Sequence, residues 1–144
     1  MSLVYVDTSV LAKRYVRAAA SDAVDELLED ATSSFALSEL CLIEMESVLA
    51  RHARERGGKA SSLPQQRVRF ENDLRIGFFD LHSMSQPVLL RARQLIADGK
   101  TPLATLDAIH LGTALTIEAN VLVTDDRQLA RAAKAQGLKV ISFI

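Results

Sequence analysis

One cysteine in 144 residues excludes an intrachain disulfide, and Cys41 lies between Leu40 and Leu42, as a small buried side chain would. Six glycines and three prolines are too few for a fibrous or low-complexity chain, and there is no internal repeat. No basic stretch followed by a long apolar core opens the sequence, and no apolar run is long enough to cross a bilayer. With no disulfide to form, a cytosolic, reducing location is the expectation. An excess of one charge is also missing: 17 basic and 18 acidic residues leave a net charge of −1. Any face that binds a polyanion must then be made by gathering cations on one side. What remains is 49% hydrophobic and 24% charged, the balance of an ordinary globular chain. Its length suits one domain spanning 1–144.

The apolar runs are short, and two of them stop at acids. Leu3 to Val6 reads as a strand buried on both faces, ending at Asp7-Thr8-Ser9, where the two hydroxyls can cap a following helix. Val121 to Thr124 is a second such run, ending at Asp125-Asp126. The segment Arg127 to Gln136 favours helix and is closed by Gly137, and Lys139 to Ile144 reads as another strand, which completes a β-α-β unit. Ser33 to Leu37 is a further strand. Ser38 then caps a long helix that stops near Gly57-Gly58. Lys59 to Pro64 reads as a loop, Gln65 to Arg75 as a helix, and Phe78 to His82 as a strand. Pro87 to Ala97 and Leu106 to Ala119 supply two more helices, the second apolar on nearly every side and so packed inside. Strands separated by helices imply an α/β fold in three layers, α/β/α, around a short parallel sheet. Ligands of such sheets collect beyond the carboxyl ends of the strands, where Asp7 and the Asp125-Asp126 doublet belong.

Each acid has a plain structural reading as well as a chemical one. An Asp at a strand end commonly caps the next helix by accepting backbone N–H bonds. Glu44 borders the stripe Cys41, Met45, Val48, Leu49 and is either a half-buried site acid or an exposed one whose stem covers apolar surface. Asp107 interrupts the apolar run Leu103 to Leu111, where an unpaired charge is expensive. The helix N-terminal dipole alone could stabilise it, or a bound cation as well. His110 reads as a hydrogen-bonded structural residue and is left out of the site. Carboxylates that converge without cysteine ligands or a histidine pair suit a hard cation, Mg²⁺ or Mn²⁺.

The succession Val4-Tyr5-Val6-Asp7-Thr8-Ser9, then Ser38 with Glu44 six residues on, then Leu106-Asp107-Ala108-Ile109-His110-Leu111, then Val123-Thr124-Asp125-Asp126, resembles the PIN domain, in particular the VapC-type toxins. The resemblance spans nearly the whole chain. It implies a Mg²⁺- or Mn²⁺-dependent endoribonuclease, restrained by a VapB-type antitoxin and forming a homodimer. It implies that Asp7, Glu44, Asp107 and Asp126 hold the metal and carry catalysis, with 5′-phosphate and 3′-hydroxyl products. The family spacing Thr-x-Asp selects Asp126 from Thr124-Asp125-Asp126, leaving Asp125 as a more exposed capping or outer residue. Ser9 matches a hydroxyl supporting the first acid. Gly112 stands where alanine is more usual, a change expected to loosen its helix.

An RNA substrate requires cations. Arg51, Arg54, Arg56 and Lys59, followed by Arg67, Arg69 and Arg75, form one candidate track, and Lys13 and Arg14 could face substrate beside the first acid. Dehalogenase-like and receiver domains also place acids after buried strands. The first usually carries a second Asp where this chain has Ser9, and the second expects an acidic pair before its phosphorylated Asp. The remaining alternatives are a PIN-fold RNA-processing nuclease outside a toxin–antitoxin pair and a non-catalytic interaction module.

Overall fold

A computed structural model describes all 144 residues. In chain order the elements are β1 (Ser2–Val6), α1 (Thr8–Tyr15), α2 (Ser21–Leu28), β2 (Ser33–Ser38), α3 (Leu40–Glu55) and α4 (Pro64–Arg75). There follow β3 (Asp80–His82), α5 (Gln86–Ala97), α6 (Thr105–Thr116), β4 (Val121–Val123), α7 (Arg127–Ala135) and β5 (Lys139–Ile141). The five strands form one sheet in the order β3-β2-β1-β4-β5, and every pairing is parallel. This is the expected three-layer α/β/α architecture.

The alternation of side chains along β1 divides the interior in two. Val4 and Val6 point to one face and pack with Val10, Leu11, Phe35, Leu37, Met45 and Val123, so α1 to α4 lie there. Tyr5 points to the other and meets Leu95, Leu111, Leu122 and Leu129, so α5 to α7 cover that side. Sheet order reverses at β1, which pairs with β2 on one side and β4 on the other. The carboxyl ends of β1 and β4 therefore frame the crevice in which open parallel sheets receive ligands.

Three local differences from the sequence reading have identifiable causes. Helix α2 has no counterpart in the sequence pattern because its buried stripe is only Ser21, Val24 and Leu28. The strand expected to run to Ile144 leaves the sheet after Ile141, because the backbone N–H of Phe143 and the hydroxyl of Ser142 turn to Asp125 Oδ1 (2.7 and 3.1 Å). Asp7 itself, rather than Thr8 or Ser9, is the N-cap of α1, its Oδ1 accepting from Ser9 N–H at 2.8 Å and Val10 N–H at 3.4 Å.

Gly112 does not loosen α6; it lets α5 approach. A Cβ built there would stand 3.0 Å from Val88 O and 3.1 Å from Ala92 N, both backbone atoms that cannot rotate away. Helix propensity alone would make Gly112→Ala stabilising. Overpacking against backbone outweighs that, and Gly112→Ala is expected to lower stability by about 1–2 kcal/mol, read from a urea denaturation curve. A stabilised variant would show that α5 yields without strain.

Candidate active site

Asp7 follows the last residue of β1 and is only 4% exposed. Besides capping α1, its Oδ1 accepts from Ser9 Oγ at 2.6 Å, and its Oδ2 accepts from Thr124 Oγ1 at 2.6 Å, just past β4. Burial pushes its carboxyl above the usual carboxylate range, against the bonds from Ser9 and Thr124 that favour the ionised form. Thr124 Oγ1 also accepts from Asp126 N–H at 3.0 Å, so one hydroxyl ties the two strand ends together.

Glu44 is half-buried on α3, beneath α1 and α6. Thr8 Oγ1 donates to its Oε1 at 2.7 Å, and His110 Nε2 lies 2.6 Å from the same oxygen. Both bonds fall on Oε1, which leaves Oε2 free. An ionised carboxylate only accepts, so His110 donates from Nε2, and its Nδ1 stands 2.5 Å from the Tyr5 O–H. Burial raises the Tyr5 pKa well above its ordinary value, which keeps that proton on the phenol. Burial also opposes ionisation of Glu44, yet the bonds from His110 and Thr8 prevail and hold its carboxyl below the ordinary value. His110, left out of the site on sequence grounds, is thus the buried residue that orients Glu44. Its three-residue offset from Asp107 on one helix was the available signal.

Asp107 occupies the first turn of α6. Its pKa is pushed up to about 6, by burial first and then by the negative charges of Asp126, Asp7 and Glu44, against the attraction of His110. Asp107 therefore lies within the fields of the other three acids. Unlike Asp73, Asp125 and Glu46, none of the four is paired with Lys or Arg; the one basic side chain bonded to any of them is His110, on Glu44. Asp126 caps α7 through Oδ1, which accepts from Leu129 N–H at 2.9 Å.

Cys41, Glu44 and His110 also have donor atoms within 4.8 Å of one another. Both His110 nitrogens are engaged, however, and burial pushes the Cys41 thiol up to about 12, so this trio is a hydrogen-bonded cluster with no thiolate for a soft metal. In donor chemistry Asp7, Glu44, Asp107 and Asp126 suit a hard divalent cation: all offer oxygen, none is paired with Lys or Arg, and Oε2 of Glu44 is unbonded.

Asp125 differs from expectation. Its side chain is only 7% exposed, paired with Lys13 and accepting from Phe143 N–H and Ser142 Oγ, while Asp126 does the capping. Burial opposes ionisation, but the Lys13 contact and the Phe143 bond win and lower its pKa. Replacing Asp125 by alanine strips three partners and is expected to cost about 1–3 kcal/mol, measured by chemical denaturation. A loss of a few tenths would return it to the role of a surface residue. Lys13 is consumed by this pair. Arg14 is likewise turned inward, its Nε 3.0 Å from Asp73 Oδ2 and its guanidinium 4.4 Å from the Phe78 ring centroid. Arg67 bonds Glu46, and Arg69 bonds the Arg14 carbonyl. Of the track read from sequence, Arg51 lines a cleft with Thr8, Ser9 and Glu44, which Ile43, Val48 and Leu106 make partly apolar.

The family model of the PIN domain matches residues 4–135. No curated protein sequence matches the chain. Among solved structures, the chain is similar to VapC20 of Mycobacterium tuberculosis, a sarcin–ricin loop cleaving toxin, with a TM-score of 0.70 at 14% identity, covering 90% of this chain and 94% of that one. It is similar to VapBC2 of Rickettsia felis, bound to a promoter DNA fragment, with a TM-score of 0.65 at 12% identity and 99% of both chains covered. A toxin–antitoxin complex of Klebsiella pneumoniae gives a TM-score of 0.67 at 20% identity, covering 98% and 96%. These likenesses are of fold.

Proposed function

Since the chain belongs to the PIN domain family, we propose that it is a divalent-metal-dependent endoribonuclease and the toxin of a VapBC-type toxin–antitoxin pair. The observation that carries the reading is Asp107, whose carboxyl is raised by the charges of Asp126, Asp7 and Glu44 as well as by burial, in a set of four acids none of which is paired with Lys or Arg. Without a cation, burial and then these neighbouring charges push the Asp107 carboxyl up. Mg²⁺ or Mn²⁺ held by these four carboxylates would supply Lewis-acid stabilisation of phosphoryl charge and a water acidified toward neutral pH.

The chain's own residues do the positioning. Thr124 and Ser9 fix both oxygens of Asp7, and Thr8 and His110 fix Oε1 of Glu44, leaving Oε2 unbonded. Buried groups locked by second partners lose little entropy on taking up an ion and a scissile phosphate. In-line attack by water on that phosphate leaves a 5′-phosphate and a 3′-hydroxyl.

The antitoxin partner is supported by the fold shared with toxin–antitoxin complexes. A VapB-type peptide fits the partly apolar cleft between α1 and α3, where Ile43 is 67% exposed beside Glu44. The reading further includes a single domain over 1–144, a homodimer and a cytoplasmic location; no helix is long and apolar enough to cross a membrane.

The deciding experiment incubates purified protein with end-labelled cellular RNA. Internal cuts are expected with Mn²⁺, falling at least about 100-fold with EDTA. Equal cleavage after chelation would refute the four-acid site.

A further inference from the structure

Helix α7, which opens beside Asp126, carries three cations that form no ion pair with any acid of the chain. Arg127, Arg131 and Lys134 are all exposed, and none takes part in an ion pair. Spaced four and three residues apart, they share one helix face, and all three line a single open cleft with Asp125, Asp126 and Ser142, of which Asp125 is already paired with Lys13.

Helix stability does not account for them. Arg127 is the first residue of α7, at the positive end of the helix dipole, where a cation is unfavourable. Arg131 follows at i+4 and Lys134 three residues later, spacings at which like charges repel. No acid stands within the helix to offset them. Only Lys134, in the last turn, suits the dipole.

We propose that this face of α7 holds the phosphates of the RNA strand on one side of the cleavage site. The inference rests on the endoribonuclease reading and adds where the substrate runs. The seven helical rises from Arg127 to Lys134 span about 10 Å, room for roughly two or three successive phosphates of a single strand. The run starts at Asp126, so a strand lying on it reaches the acids directly. An acidic protein segment would be the other claimant, but protein interfaces centre on apolar anchors. This cleft has only Ala130 and the terminal Ile144, whereas the cleft between α1 and α3 is the apolar one. The basic residues nearer the first acid are already engaged, Lys13 with Asp125 and Arg14 with Asp73.

The test compares two triple variants with equal charge change: Arg127→Gln/Arg131→Gln/Lys134→Gln on α7, and Arg54→Gln/Arg56→Gln/Lys59→Gln at the end of α3. The probe is a fluorescein-labelled single-stranded RNA of mixed sequence, titrated by anisotropy in EDTA from 50 to 200 mM salt (~50 and ~200 mM, the range over which counterion release is read). The α7 variant is expected to bind at least about tenfold more weakly at the low-salt end, with a log–log salt slope shallower by about 2, three contacts at roughly 0.7 each. The α3 variant, on the rival track read from sequence, is expected to change by about twofold or less, because of that track's cations only Arg51 lines the cleft beside Glu44. Equal weakening by both variants would reduce the effect to overall charge and overturn the proposal. Unchanged affinity of the α7 variant would hand this face to an acidic protein segment and overturn it too. Relief of like-charge repulsion should leave the α7 variant melting no lower than wild type. If it does melt lower, the single change Arg131→Gln decides by a slope shift of about 0.7. Wild-type protein is assayed in parallel for Mn²⁺-dependent cleavage. Absence of both cleavage and binding sinks the endoribonuclease reading along with this one, while cleavage with an unaffected α7 variant sinks this one alone.

Discussion

Asp107→Asn is expected to reduce Mn²⁺-dependent cleavage by at least about 100-fold while making the metal-free protein more stable at pH 7. The loss is set by analogy with outer partners of metal ligands, which are alone worth about 10- to 100-fold. The gain follows from proton linkage. In the folded chain the Asp107 carboxyl titrates at about 6, raised from 3.8 by burial and by Asp126, Asp7 and Glu44. Between those values the native state holds a proton that the unfolded chain has released, so stability falls as pH rises through the window. The raised pKa of Asp7 acts in the same sense. Glu44, whose pKa is lowered, acts oppositely, but its contribution is lost only below its ordinary 4.5. The half-exposed Asp107 is screened by water, which limits the gain to about 1 kcal/mol. Urea denaturation from pH 4 to 7 in EDTA measures it, and Mn²⁺ should raise the melting temperature of wild type far more than that of the variant. A variant less stable than wild type at pH 7, with an unaltered pH profile, would place Asp107 outside the acid cluster.

His110→Phe is expected to damage both stability and activity. Phenylalanine keeps the ring but takes no hydrogen bond, so the fully buried Tyr5 hydroxyl loses its partner, at a cost of about 2 kcal/mol. Glu44 keeps Thr8 but loses the bond and charge that hold its pKa down. Its carboxyl then takes up a proton more readily, the Mn²⁺ requirement rises, and cleavage falls about 10- to 100-fold. The Mn²⁺ dependence separates two roles. A destabilised variant that cleaves with the wild-type Mn²⁺ requirement would make His110 a core residue and nothing more.

Local pattern determined a good deal about this protein. Short β-branched runs and helix-stopping glycines located all five strands and the long helices, because strand burial and positive-φ chain reversals are properties of a few adjacent residues; Gly57 and Gly137 indeed take φ of 79° and 87°. Acids after buried strands were legible for the same reason, since a parallel sheet puts every strand's carboxyl end on one edge. Helix α2 was not, because its three-residue stripe carries too little periodicity. Only the tertiary structure decided which polar groups are spent and which are free. Lys13, Arg14, Arg127 and Arg131 look alike in sequence, yet the first two are bound by Asp125 and Asp73, partners 112 and 59 residues away, while the last two face solvent. His110 reaches Glu44 across 66 residues and Tyr5 across 105, and Gly112 is set by the backbone of a different helix. A side chain's partner depends on which elements pack against its own, and that is settled by burying both faces of the sheet at once, not by any run of neighbouring residues.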